Sequence, residues 1–219
     1  MADTFTPKLI IFDVNKTLIR DNSWQELNKS MGVTDEEDEV LMRWGREGII
    51  TDQQGQEILC ALYNERSEPT REAIESLIYN YTYFEGARET VTELQNRGFE
   101  VALLSGSMDL LVRHMAEELG ITRYASNNSL NFNEHGVLKY ITTRMNDAEF
   151  KVAKLAEWCS EMNIRSQDVA IVGDGASDRL LATAAGFAVA FNDESAIASV
   201  ADAALSDAEY GKLLEYFVK

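Results

Sequence analysis

Proline is almost missing from this sequence. Pro7 and Pro69 are the only two in 219 residues, so no proline-rich linker divides the chain. Cysteine is as scarce: Cys60 and Cys159 form neither a CxxC nor a Cys/His pattern, which argues against a disulfide framework or a zinc site. Both lie in helix-like apolar patterns and are expected as buried free thiols. The two histidines, His114 and His135, have no partners that suggest catalysis and are read as structural. Positive charge is the minority, with 20 Lys and Arg against 37 Asp and Glu and a formal net charge of -17. Such a field repels nucleic acid and anionic membrane surfaces, so neither is an expected partner. An anionic substrate would need a local positive site built from lysine, metal or backbone N–H groups. No apolar run approaches the ~20 residues that span a bilayer, and Met1 to Lys8 lacks a basic stretch followed by an apolar run. A cytoplasmic location is expected, and the sequons at Asn28 and Asn80 then carry no weight.

What is present is a set of short, continuous apolar runs. Leu9 to Phe12, Phe99 to Leu104, Val169 to Val172 and Phe187 to Phe191 read as strands buried on both faces, the pattern of parallel sheets. Helical segments Ala87–Asn96, Asp109–Leu119, Asp147–Met162 and Ser177–Ala185 lie between the later runs, and Gly98 and Gly120 act as helix stops. The alternation predicts an α/β fold, a doubly wound parallel sheet of Rossmann-like form with helices on both faces. Between Thr17 and Tyr83 it breaks. That stretch reads as amphipathic helices near Trp24–Met31, Glu36–Trp44, Thr51–Tyr63 and Thr70–Tyr79, with Thr34 and Glu37 as a capping box. The expected division is a core of residues 1–18 and 84–219 and a helical unit of residues 19–83, placed over the carboxyl end of the sheet where ligands of this architecture bind. A smaller excursion from Tyr124 to Tyr140 reads as a β-hairpin turning at Asn133-Glu134-His135-Gly136.

Four polar features stand at the ends of the apolar runs or before one. Asp13 follows the first run, where a carboxylate can attack phosphorus. Ser105-Gly106 follows the second, offering a hydroxyl and a backbone free to approach an anion closely. Lys151 stands at a helix start, wrong for the helix dipole, which suggests that it offsets negative charge elsewhere. Lys154, one turn later, competes for that role. Gly173-Asp174-Gly175-Ala176-Ser177-Asp178 follows the third run, with two carboxylates four apart in a glycine-rich turn, a fit for magnesium. Each feature alone is more often a turn, a cap or a solvated charge. Their order, converging on one sheet edge, makes a phosphoryl-transfer set.

Asp13-Val14-Asn15-Lys16-Thr17, Ser105-Gly106, Lys151 and Gly173 to Asp178 resemble the four motifs of the haloacid dehalogenase superfamily. Val169 to Asn192, Phe84-Glu85-Gly86 and Gly98 to Asp109 look like its phosphoserine-phosphatase branch, whose small helical cap matches the insertion. The resemblance implies Asp13 as nucleophile and metal ligand and Asn15 as a backbone-carbonyl ligand. It also implies Ser105, Gly106 and Lys151 as phosphate-binding groups, and Asp174 with Asp178 as the rest of an Mg2+ site. Two departures stand out. The branch's phosphatases carry an acid/base aspartate where this chain has Asn15. Their cap glutamate falls near Asn22, with Asp21 beside it, and the place of their substrate-holding arginine, Gln56 to Ile58, holds no arginine. Arg20, Arg43 and Arg46 are spare cap arginines, and Trp24 and Trp44 are candidates for an apolar wall.

Three functions follow from this. One is a magnesium-dependent hydrolase of a small phosphorylated metabolite working through an aspartyl-phosphate on Asp13. Another is a haloacid dehalogenase-type hydrolase of a different bond, which needs no acid. The third is a weakly active phosphate-binding or regulatory module.

Overall fold

The computed structural model describes residues 4–192, 195–207 and 209–219. Seven strands form one sheet: β1 (Leu9–Phe12), β2 (Glu100–Met108), β3 (Arg123–Phe132), β4 (Leu138–Thr143), β5 (Val169–Gly173), β6 (Phe187–Phe191) and β7 (Ala203–Leu205). Their order is β4-β3-β2-β1-β5-β6-β7, and every pair is parallel except β3 with β4. The chain winds outward from β1 to one side through β2 and β3, then returns to β5 on the other. Asp13 and Asp174 thus lie just beyond the carboxyl ends of β1 and β5, and Ser105 lies in the carboxyl-terminal half of neighbouring β2, at the topological switch point.

Central β1 shows why the apolar runs form this sheet. Ile10 and Phe12 enter one hydrophobic core, Leu9 and Ile11 the other, and none is more than 1% exposed. A period of two with both faces covered demands an unbroken apolar run. Each such side chain contributes about 1.5–3 kcal/mol by burial, so a charge is tolerated only where the strand ends. Cys60 and Cys159 are buried free thiols, one in each core, as expected.

Four consecutive helices follow β1: α1 (Ser23–Ser30), α2 (Asp35–Arg46), α3 (Asp52–Arg66) and α4 (Arg71–Ile78). Each begins at a side-chain N-cap, respectively Asn22, Thr34, Thr51 and Thr70, and Thr34 with Glu37 makes the expected capping box. The insertion leaves and rejoins the sheet through one pair of extended segments. Arg20 N–H donates to the Thr82 carbonyl at 2.8 Å and Phe84 N–H to the Leu18 carbonyl at 3.0 Å. The later helices are α5 (Ala87–Asn96), α6 (Asp109–Leu119), α7 (Asp147–Met162), α8 (Asp178–Ala184) and a short α9 (Leu213–Tyr216).

The hairpin departs from expectation. It is no separate excursion, because the first half of β3 pairs with β2 from Ala102↔Arg123 to Ser105↔Ser126, and its second half pairs with β4. The turn at Asn133 to Gly136 stands where predicted. The Asn133 side chain accepts from His135 N–H and Val137 N–H, and Gly136 supplies the left-handed φ of 76°. His135 lies exposed on that turn, whereas His114 stacks on Tyr79 at 3.9 Å. Helix α3 is tied to the hairpin: Gln53 donates to the Ile141 carbonyl and accepts from Thr143 N–H, and Asn64 donates to the Leu138 carbonyl. Among the described residues no helix is long and apolar enough to cross a membrane.

Candidate active site

Asp13 continues β1 by one hydrogen bond, its N–H donating to the Val172 carbonyl at 3.0 Å. The chain then turns sharply, with Leu18 and Ile19 N–H groups both returning to the Val14 carbonyl. Lys16 takes a left-handed φ of 57° in this turn and its ammonium reaches the Arg20 carbonyl. The turn leaves Asp13 8% exposed, with its carboxylate facing α7.

Lys151 meets it there. Its Nζ donates to Asp13 Oδ1 at 3.0 Å and to Asp178 Oδ1 at 2.7 Å, and lies 3.9 Å from Asp147 Oδ2. The lysine is 1% exposed. Burial alone would depress its pKa, but Asp13, Asp178 and Asp147 outweigh burial and hold it well above the ordinary lysine range. Lys151 is not at a helix start. Asn146 caps α7 by accepting from Ala148 N–H, so the lysine sits one turn in, with Asp147 one turn behind it. Lys154 pairs instead with Glu157 on the outside of the same helix.

The β5–α8 turn brings the remaining acids. Asp178 Oδ2 accepts from Gly175 N–H at 3.0 Å, folding its carboxylate back over the turn. A Cβ on Gly173 would lie 2.7 Å from that oxygen, which explains glycine there. Asp174 Oδ1 accepts from Thr17 Oγ1 at 3.0 Å, joining this turn to the loop after Asp13. Oxygens of Asp13, Asp174 and Asp178 lie within 4.8 Å of one another.

The three clustered carboxylates, with Asp147 as a fourth nearby, thus share one ammonium. Burial pushes Asp13 up to about 7; Lys151 opposes this, while Asp178 and Asp174 add to it. Burial likewise takes Asp174 up to about 6, against the Thr17 hydrogen bond and with help from Asp178. A buried all-oxygen cluster short of positive charge suits a hard divalent cation, which needs what the cluster lacks. Raised native pKa values mean that protons bind the native state more tightly than the unfolded chain. Their contribution to stability is complete below the ordinary range near 3.8 and is lost as pH rises through about 6 and 7. A cation competes with those protons, so its stabilising effect should grow over the same window. The rise in Tm on adding magnesium should be larger at pH 8 than at pH 5.5, with each kcal/mol of difference moving Tm by roughly 2–4 °C. Equal shifts at the two pH values would separate the cluster from cation binding.

Ser105 lies in β2, which runs on to Met108, beyond the expected end at Leu104. Its hydroxyl is buried and accepts from Ser107 N–H at 3.1 Å, and its own proton has no acceptor among the described residues. A Cβ on Gly106 would come within 2.5 Å of the Asp147 carboxylate, so only glycine fits beside that acid. Asn15 directs its side-chain oxygen to Ser23 N–H at 3.1 Å, at the start of α1. Thr17 and Asp147 were missed in the sequence. Asp147 had one visible signal, its spacing of four before Lys151.

Other candidates lie elsewhere. Arg20 pairs with Asp207 at 3.4 Å and covers the Phe84 ring; Arg43, Arg46 and Trp44 are exposed. Asn22 caps α1 and Asp21 accepts from Thr82 N–H. A cleft of about 240 Å³ is lined by Asp109, Tyr124, Arg144, Phe150 and Lys154, and none of the converging carboxylates enters it.

The family model for haloacid dehalogenase-like hydrolases matches residues 10–183, a span that contains every one of these groups. The chain belongs to the haloacid dehalogenase-like hydrolases. Within them it stands in the phosphoserine-phosphatase-like branch of phosphatases. It is 33% identical over 199 residues to a phosphoserine phosphatase of Archaeoglobus fulgidus, covering 91% of this chain but only 56% of that longer one. It is 31% identical to a phosphoserine phosphatase of Albidiferax ferrireducens, covering 96% of this chain and 89% of the relative. A solved phosphoserine phosphatase, described as a phospho-aspartyl intermediate analogue, superposes with a TM-score of 0.79 at 28% identity, covering 97% of this chain and all of that one.

Proposed function

We propose that this enzyme is a magnesium-dependent phosphohydrolase of a small phosphorylated metabolite, with residues 19–83 as a cap over a core of residues 1–18 and 84–219. The observation that carries this is Asp13, buried at the end of β1 with one carboxylate oxygen held by Lys151 and the other left to act. Asp13 attacks phosphorus, the ester oxygen departs, and water then cleaves the aspartyl-phosphate. Lys151 offsets the charge shared by Asp13 and the phosphoryl oxygens, and Asp178 orients Lys151. The buried Ser105 hydroxyl donates its free proton to a phosphate oxygen, and Gly106 lets the backbone approach. Asp13, Asp174, Asp178 and the Asn15 backbone carbonyl would hold Mg2+, which when bound adds positive charge at the phosphoryl oxygens. Halide displacement has no use for the carboxylate cluster, and no observation favours it.

Asn15 has no proton to give the leaving oxygen. The substrate should therefore be one whose leaving group departs as an anion, such as an acyl or aryl phosphate. Phosphoserine fits poorly. Its leaving alkoxide is basic, and positions 56–58, where the branch holds the substrate carboxylate with arginine, carry Gln56, Glu57 and Ile58. The test is hydrolysis of a series of phosphate monoesters with magnesium, from p-nitrophenyl phosphate to alkyl phosphates. A steep fall in kcat/KM with leaving-group basicity is expected; a flat series would remove this reading. Binding of phosphate without turnover of any ester would leave the binding-module alternative.

A further inference from the structure

The first two residues of α1 grip the peptide that follows Ser105 and Gly106. Trp24 Nε1 donates to the Gly106 carbonyl at 3.1 Å. Ser23 Oγ and Ser107 Oγ, both buried, lie 2.6 Å apart. Ser23 N–H in turn donates to the Asn15 side chain, so the loop after Asp13 holds the same end of α1. From the core side, Asn128 Nδ2 donates to the same Gly106 carbonyl at 2.7 Å, and Asn128 Oδ1 accepts from Thr143, which fixes the amide orientation.

The Gly106–Ser107 peptide is therefore pinned at its oxygen by two donors. Its N–H, on Ser107, donates to Ser105 Oγ. That bond occupies a lone pair of the serine oxygen and leaves the hydroxyl proton to point elsewhere. Hydrogen bonds in series polarise one another in a buried setting, so donors on the carbonyl strengthen the N–H that orients Ser105. Without α1 the bonds from Trp24 and Ser23 would be lost together, and Asn128 would be the one side chain left on the Gly106 carbonyl.

We infer that Trp24 and Ser23 are positioning residues. Seating α1 on the Gly106–Ser107 peptide aims the Ser105 hydroxyl at the phosphate. This rests on the reading that Ser105 donates to phosphate. Neither residue touches the reacting atoms; both act through the peptide.

The test measures inorganic phosphate as a competitive inhibitor of p-nitrophenyl phosphate hydrolysis in the magnesium-loaded full chain. Trp24→Phe keeps an aromatic ring and removes the N–H. One neutral hydrogen bond predicts a rise of roughly 3–10-fold in phosphate Ki and in KM, with kcat changed less. In a Ser105→Ala background Trp24→Phe should add almost nothing, because the relay ends at that hydroxyl. Phosphate should also change tryptophan emission in the wild type and not in Trp24→Phe, where Trp44 and Trp158 remain. Should Trp24→Phe not fold by thermal melt, Ser23→Ala carries the same cycle. Equal effects of Trp24→Phe with and without Ser105, or an unchanged Ki, would overturn the inference. If Ser105→Ala itself leaves phosphate Ki untouched, the assignment of Ser105 to phosphate fails first.

Discussion

Replacing Asp13 by asparagine should lower kcat on p-nitrophenyl phosphate by on the order of 10⁴-fold or more, because the nucleophile is lost while the fold is kept. An amide oxygen still accepts from Lys151, whose Nζ lies 3.0 Å from the present Oδ1, so the buried lysine keeps a partner. The change also removes one of three crowded carboxylates. The metal-free Asp13→Asn protein should therefore melt higher than wild type above pH 7, where the native Asp13 carboxyl, pushed up to about 7, has lost its proton. Activity and stability are thus expected to move in opposite directions, as no merely disruptive substitution would do. Steady-state rates with magnesium and melts without it check both. More than about 1% of wild-type turnover surviving would place the nucleophile elsewhere.

Most of what carries this chemistry is legible in the sequence, because both faces of the central strands are buried. Leu9 to Phe12 and Val169 to Val172 have no polar alternative, so their ends are marked by the first charge each meets, Asp13 and Asp174. What escaped was polar. The β3 strand reads RYASNNSLNF, so its backbone ladder to β2, to which Ser126 Oγ adds a bond to the Ser107 carbonyl, is one that no hydrophobic period reveals. The three-residue β7 is too short to show a pattern. Lys151 sits one turn inside α7, whose start is set by the polar cap Asn146, a signal that apolar spacing does not carry. Thr17 and Asp147 bond across 157 residues and stack under a glycine, respectively, and only the fold brings such partners together.

Asn15→Asp should produce the other large effect, a gain. The present amide spends its oxygen on Ser23 N–H at 3.1 Å, and a carboxylate oxygen can accept that same bond, so α1 keeps its seat. The amide nitrogen has no protein acceptor among the described residues; at its place the variant puts a carboxyl oxygen able to carry a proton. The backbone carbonyl implied as a metal ligand does not change. General acid–base help is worth roughly 10²–10⁴-fold, and it is worth most where the departing oxygen is most basic. In kcat/KM, which reports leaving-group departure and not the later hydrolysis of the aspartyl-phosphate, alkyl phosphates should therefore rise by about 10²-fold or more, while p-nitrophenyl phosphate, whose leaving group needs no proton, changes by less than about tenfold. The dependence on leaving-group basicity should flatten accordingly. A uniform loss on every ester would mean the opposite: that the amide is a required donor to substrate and the site has been rebuilt around it rather than deprived of an acid. The two outcomes differ in sign for the same substrates, so one alkyl phosphate and one aryl phosphate separate them.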